Sequence, residues 1–473
     1  MNTISKLIRR PYASHSLAGV LVLASALSAA LLAGCSGATP SSVVSPMVQA
    51  TNVPVLLTDS PSTQLLSFEL TVSSITLTNT AGKTVTVLSH PARIEATHLN
   101  GVSEPLLTLA LPQDTYTSAV IGYSNPDVTY LNPSNVATEY SNTNSGSATV
   151  TFASPITVST AAMSLSVELL LSQSVSISGN TVTVTPAFNV TSVPVAAQPT
   201  NEANGKIEGV KGAISALNIN ANSMTVLTTD GASLAVAVNS STQYDGISGI
   251  SALGVGMLVE MDLATQSDGS LLATRIHVED ASTHDEIEGP VVKIAGNPAN
   301  SLQIVLRQEL GSDLSTSNLG TVYTVALTSN TDFNMSNRFG EDRTFPFNAV
   351  FNASTIFAGQ NVTAVVPNVS GAAATATMVT LQQQPVSGTV SAIASSGGYS
   401  IYTITLAPSD FLATLTGLTT VNVYTSSNTQ MVNSTPIAVG STARFQGLLF
   451  NSGGMLSMIS GQVNNGENQG KDN

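Results

Sequence analysis

VKGAISAL (210–217), IEGPVVKI (287–294) and VSGTVSAI (386–393) share one pattern: apolar-x-Gly-x-apolar-x-x-apolar. Their glycines, Gly212, Gly289 and Gly388, stand 77 and 99 residues apart. The same later landmarks follow each copy. SSTQY, SNTDF and SNTQM bring Thr242, Thr331 and Thr429; LGVGMLVEM, IFAGQNVTAV and IAVGSTARF bring Gly256, Gly359 and Gly440. LLATRIHV, TATMVTL and LSMISGQV close the three series. Four landmarks in one order, three times over, are a tandem repeat. Glycine inside a strand permits a bend or a close backbone approach at a barrel corner. Glycine in a turn feeds the next strand.

The reading extends outward from these repeats. Copies are expected over 205–280, over 286–382 with an insertion at 334–354, and over 385–464, before a polar tail at 465–473. They resemble the bacterial family called domain of unknown function 5666, which implies a small β-barrel of OB-like size. The first copy matches best and the third is the most diverged.

Upstream, TSVPVAAQPTNEAN (191–204) reads as a linker. Before it come SFELTVSSITLTN, KTVTVLSH, LLTLALP, YTSAVIGYS, SATVTFA, SLSVELLL and NTVTVTPAFNV, separated by turn signals such as AGK, SNP and SGN. Short alternating runs without a long helical period predict a β-sandwich over 52–195. HPARIEATHLNG (90–101) is expected to be a short helix or an irregular excursion. LLTDSP, LPQDTYTSAVIGY and SQSVSISGNTVTVTPAFNV make this block similar to the bacterial lipoprotein family called domain of unknown function 4382. Ser60, Asp114 and Leu170 depart from that family's usual Ala, Gly and Asp. The resemblance implies an exported sandwich and no established activity. The fold class expected for the chain is therefore all-β: an N-terminal sandwich followed by three small barrels.

The N-terminus speaks to location. Lys6, Arg9 and Arg10 precede an uncharged apolar run from Leu17 to Ala33. That order is an export signal. Leu32-Ala33-Gly34-Cys35 resembles the bacterial lipobox, which implies cleavage of residues 1–34, lipidation of Cys35 and anchoring through a polar tether over 35–51. Several acyl chains hold stably, at roughly 0.8 kcal/mol per buried methylene. Ser36 implies outer-membrane sorting. Cys35 is the only cysteine, so no disulfide framework or thiolate metal site is expected.

Composition narrows the function. Net charge is −14, and loss of Lys6, Arg9 and Arg10 would deepen it by three. An acidic chain repels phosphate, so no nucleic-acid partner is expected. Charged residues are 9% of the chain, against about 25% in ordinary domains. Aromatics are 5%, with no tryptophan, which weighs against stacking platforms for sugars.

Few groups could carry chemistry. HVEDASTHDEIE (277–288) is the densest charged stretch. Its His277, Glu279, Asp280, His284 and Asp285 are candidate ligands for calcium or zinc, though without EF-hand spacing. The alternative is a solvated linker whose charges discourage strand pairing. In the second-repeat insertion, Arg338, Phe339, Arg343, Phe345 and Phe347 form a candidate contact surface. The alternative is a hairpin tucking its phenylalanines onto its own barrel. Asp59 reads as a turn residue ahead of Pro61, and Tyr116 as a core residue. No nucleophile elbow, HExxH or phosphate loop occurs. The expected function is a lipid-anchored envelope protein, non-enzymatic, with a structural or adhesive role and an envelope protein or glycan as partner. A glycan- or calcium-binding lipoprotein and a hydrolase with an unrecognised site are the alternatives. No cofactor is expected, with Ca²⁺ as the alternative.

Overall fold

The computed structural model describes residues 49–464, except 61, 89, 100–101, 230, 280–284, 311–317, 337–344 and 433–435. Cys35, the signal and most of the tether lie outside the described residues. So does the tail beyond Asn464.

The first unit is two packed sheets. One orders strands Phe188–Pro194, Met163–Leu170, Ala50–Ser60 and Glu104–Pro112. The other is built on Leu65–Asn79 and Thr115–Leu131, joined by Thr84–Leu88, Ala92–Glu95, Ala137–Tyr140 and Ser145–Thr157. Alternating apolar positions from both, among them Phe68, Ile121, Leu165 and Val167, close one core, as inner faces of a sandwich do. Tyr116 is buried there, and its hydroxyl donates to Pro112 O at 2.9 Å.

Two expectations change. Residues 90–101 are not a helix or an irregular excursion throughout: Ala92–Glu95 is a strand paired with Leu65–Asn79. The segment Ala-Arg-Ile-Glu alternates so that Ile94 enters the core, which suits a strand and not a helix. Asp59 is not in a turn. It is the penultimate residue of strand Ala50–Ser60, 3% exposed, with the charges of Arg307 and Arg444 acting on it.

Each repeat closes on itself. In the first, Lys206–Asn218 pairs with Ser223–Thr228, which pairs with Ser233–Ala237. Ser233–Ala237 runs parallel to Leu271–Glu279, which pairs with Leu258–Thr265, which returns to Lys206–Asn218. The ring orders its five main strands 1-2-3-5-4, back to 1. A short strand, Gln243–Asp245, continues the parallel seam on the fifth. The second repeat runs through Asp285–Gly296, Ala299–Val305, Val322–Ala326 and Asn361–Val366, with its fifth strand split into Ala373–Thr375 and Met378–Leu381. The third uses Gln384–Ser396, Tyr399–Thr405, Thr420–Thr425, Thr442–Ser452 and Met455–Asn464. Strand period explains the interiors: Leu234 and Val236 of SLAVA point in while Ser233 and Ala235 stay exposed.

The landmarks now have physical roles. A Cβ on Gly212, Gly289 or Gly388 would lie 2.4, 1.7 or 2.3 Å from a backbone oxygen of the adjoining strand. These are the tight corners of the first strand. Gly256, Gly359 and Gly440 have φ of +90°, +105° and +89°, and each N–H donates to the first strand of its own barrel, at Ile214, Val291 and Val390. Thr242, Thr331 and Thr429 each donate from Oγ1 to the fifth strand, at Ala273, Ala376 and Ser460, over 2.7, 2.9 and 2.8 Å. Each hydroxyl also accepts the N–H three residues back.

The second barrel docks on the sandwich through a buried cation. Arg307 donates to the backbone oxygens of Leu65 and Leu66. Glu95 lies buried on the sandwich side. Burial pushes its carboxyl up, but His98, Arg307 and Thr97 together hold it below its ordinary value.

Candidate functional site

A polar cleft of about 1060 Å³ opens where the sandwich and the barrels converge. The segment after Ala92–Glu95 brings His98 and Glu104 to it. The first barrel brings Glu208, Lys211, Asp245, Glu260, Asp262 and Arg275; the second brings Glu286, Glu288, Asn361 and Thr363, and Gln446 comes from the third. Seven carboxylates (Glu104, Glu208, Asp245, Glu260, Asp262, Glu286 and Glu288) line it with two permanent cations, Lys211 and Arg275. A concave, low-dielectric wall focuses such an excess into a negative potential.

Local register places the charges. Asp262 pairs across the strands with Arg275, and Glu260 with His277. Positions two apart on one strand share a face, so the four side chains stand together. Arg275 reaches Asp262 at 3.1 Å, Asp245 at 3.0 Å and Glu260 at 3.2 Å. Burial lowers the guanidinium's proton affinity, but these three carboxylates outweigh it and raise it. Lys211 Nζ meets Glu288 Oε2 at 3.0 Å, and Thr363 donates to the same oxygen at 3.1 Å. Burial pushes the Glu288 carboxyl up, yet Lys211 and Thr363 pull it below the ordinary range. His98 Nε2 stands 3.2 Å from Glu104 Oε1.

Amides form the part of the wall nearest the third barrel. Asn361 is 6% and Gln383 7% exposed. Asn361 Nδ2 donates to Gln383 O at 3.3 Å. Asn361 Oδ1, Gln383 Nε2 and Gln446 Oε1 are buried without a hydrogen-bond partner among the described residues.

The sequence-derived candidates fall unevenly on this geometry. His277 lines the cleft. Asp285 is buried at the start of the second barrel's first strand. Asp280, His284 and the side chain of Glu279 lie outside the described residues. Among the described residues, no group of three or more His, Asp and Glu side chains could hold a metal ion. Arg338, Phe339 and Arg343 also lie outside them. Phe345 and Phe347 are half-buried, 5.6 and 5.7 Å from Phe450 of the third barrel, and Phe347 is 5.1 Å from Tyr424. They join two barrels. Sequence reasoning passed over Glu260, Asp262 and Arg275. The signal was there: charges two apart on adjoining strand runs, in a chain with few charges.

Comparison with known proteins adds one family. Residues 211–277 match the family model described as Domain of unknown function (DUF5666). That span falls within the first barrel. A solved structure of CusF residues 10–88, a tryptophan-to-alanine variant with Cu(II) from Escherichia coli, is similar at 11% identity; the match covers 18% of this chain and 100% of that one, with a TM-score of 0.14. No curated protein matches the chain.

Proposed function

We propose that this chain is an exported, lipid-anchored cell-envelope protein with a non-enzymatic binding role, and that the polar cleft is its ligand surface. The observation that carries the reading is the convergence of the sandwich and all three barrels on one cleft. Its volume suits a ligand of substantial size, since small-molecule sites run to about 300–1,000 Å³. The acid excess selects for positive charge in the ligand. Export and anchoring rest on the sequence, on the basic segment, the apolar run and Leu32-Ala33-Gly34-Cys35. The resemblance of 52–195 to domain of unknown function 4382 agrees with that location.

Carbodiimide labelling of carboxylates tests the cleft. Permeabilised cells and purified protein are compared by mass spectrometry. Glu104, Glu208 and Asp245 are expected to be shielded in cells and labelled after purification. Equal labelling in both states overturns the cleft as ligand surface. Fractionation tests the anchor: Cys35→Ala is expected to leave the membrane pellet, and its retention there overturns lipidation.

A further inference from the structure

Two features of the cleft are not consumed by its own ion pairs. The first is a pair of strand edges that are open among the described residues. Gln243–Asp245 ends the strand order of the first barrel's sheet, and Asp332–Met335 ends that of the second. Each has a hydrogen-bonded neighbour on one side, Leu271–Glu279 and Met378–Leu381 respectively. Both edges line the cleft, through Gln243 to Gly246 and through Asn334 to Ser336. An open edge presents a row of N–H and C=O groups that an extended chain can complete.

The second feature is the amide wall. Asn361 Oδ1 is an acceptor, Gln383 Nε2 a donor and Gln446 Oε1 an acceptor, all buried and unpartnered among the described residues. A buried polar group without a partner is costly, so the wall is shaped for something that both donates and accepts. A peptide group does both within one unit. Around these amides stand seven carboxylates, with Lys211 and Arg275 in the wall and Lys206 behind it paired to Glu208.

From these features, and resting on the cleft as ligand surface, we infer that the cleft takes an extended basic peptide segment of a partner protein. Its main chain completes the edges at Gln243–Asp245 and Asp332–Met335 and meets the amides of Asn361 and Gln383. Its Lys and Arg side chains meet the acidic wall. Amino sugars and polyamines match the charge alone. The wall offers them little to stack on, since Tyr244 is the one aromatic among its lining residues.

Fluorescence anisotropy on the detergent-solubilised full-length protein tests this. The probe is a labelled peptide of alternating lysine and threonine. Saturable binding is expected, weakened at least about tenfold when alternate peptide nitrogens are methylated, because methylation removes the donors that strand addition needs. Glu208→Gln with Asp245→Asn is expected to weaken it several-fold and flatten its salt dependence. Spermidine and a chitosan oligomer are expected to compete poorly. Equal binding of the methylated peptide, or tighter binding of either competitor, overturns the inference. So does no binding of the peptide. If the peptide fails while shielding of carboxylates in cells holds, the ligand class is wrong and the cleft stands; if both fail, the cleft falls too. Asn361 or Gln383 holding only solvent gives equal binding of both peptides and counts against the inference.

Discussion

Lys211 and Glu288 form an ion pair at 3.0 Å although they are 77 residues apart, and they occupy the same position of successive repeats, one residue before Gly212 and Gly289. The two barrels therefore meet through equivalent corners, one cationic and one anionic. Both side chains are largely withdrawn from solvent, at 12% and 19%.

Breaking one partner leaves the other charge poorly solvated. Lys211→Met is expected to destabilise by about 2 kcal/mol, between the cost of breaking an exposed pair and a buried one. Exchange of the two charges, Lys211→Glu with Glu288→Lys, is expected to recover part of the loss. A double-mutant cycle by urea unfolding measures the coupling. A coupling near zero would show that the pair holds nothing.

The threonine latch is repeated three times and should behave alike each time. Thr242→Val keeps the shape but removes the donor to Ala273 O and the acceptor for Asn239 N. Buried groups left unpaired cost about 1–3 kcal/mol. Thr331→Val is expected to cost a similar amount, since its bonds to Ala376 O and from Thr328 N are equivalent. Thermal unfolding of the two variants checks this; a loss confined to one barrel contradicts the equivalence.

The corner glycines should rank by clearance. Gly289→Ala places a Cβ 1.7 Å from Val305 O, whereas Gly212→Ala leaves 2.4 Å to Leu227 O. Both must open a hairpin, at roughly 1–3 kcal/mol or more. The second-barrel variant is expected to be the less stable of the two by chemical denaturation.

Glu69 gives the protein a pH signature. It is buried between the sandwich and the second barrel, where Ser67 Oγ donates to it at 2.6 Å and Thr129, on the facing strand, donates to Gly320 O at 3.0 Å. Burial raises its carboxyl from 4.5 to about 8, against the pull of Ser67 and Arg93. The folded state then binds more protons than the unfolded one between these values. Stability from this group is full below about 4.5 and is lost as pH rises through about 8, with a slope of up to about 1.4 kcal/mol per pH unit. Glu69→Gln is expected to remove that slope and to be the more stable form above pH 8 in melting curves taken across the range. An unchanged slope would place the titration elsewhere.

Much of this architecture was legible in residues. Gly212, Gly289 and Gly388 marked the corners, and the strand runs fell where alternation placed them. Ile94 was harder to read, because a four-residue strand carries too little period to separate from a loop. Asp59 misled because Asp before Ser-Pro is a turn signal locally, while burial against Arg307 and Arg444 is decided by packing between units. The cleft was half visible: Glu260, Asp262, Arg275 and His277 share a face by period alone. Asn361, Gln383 and Gln446 join it from distant segments, and no local pattern announces that.

Amide hydrogen exchange of the full-length protein, with and without the basic peptide, tests strand addition at the cleft most directly. Slowed exchange is expected to concentrate at Gln243–Asp245 and Asp332–Met335, the two cleft edges that are open among the described residues. Slowing elsewhere, for example at the exposed turns carrying Val255 and Val439, or no slowing at all, would contradict it.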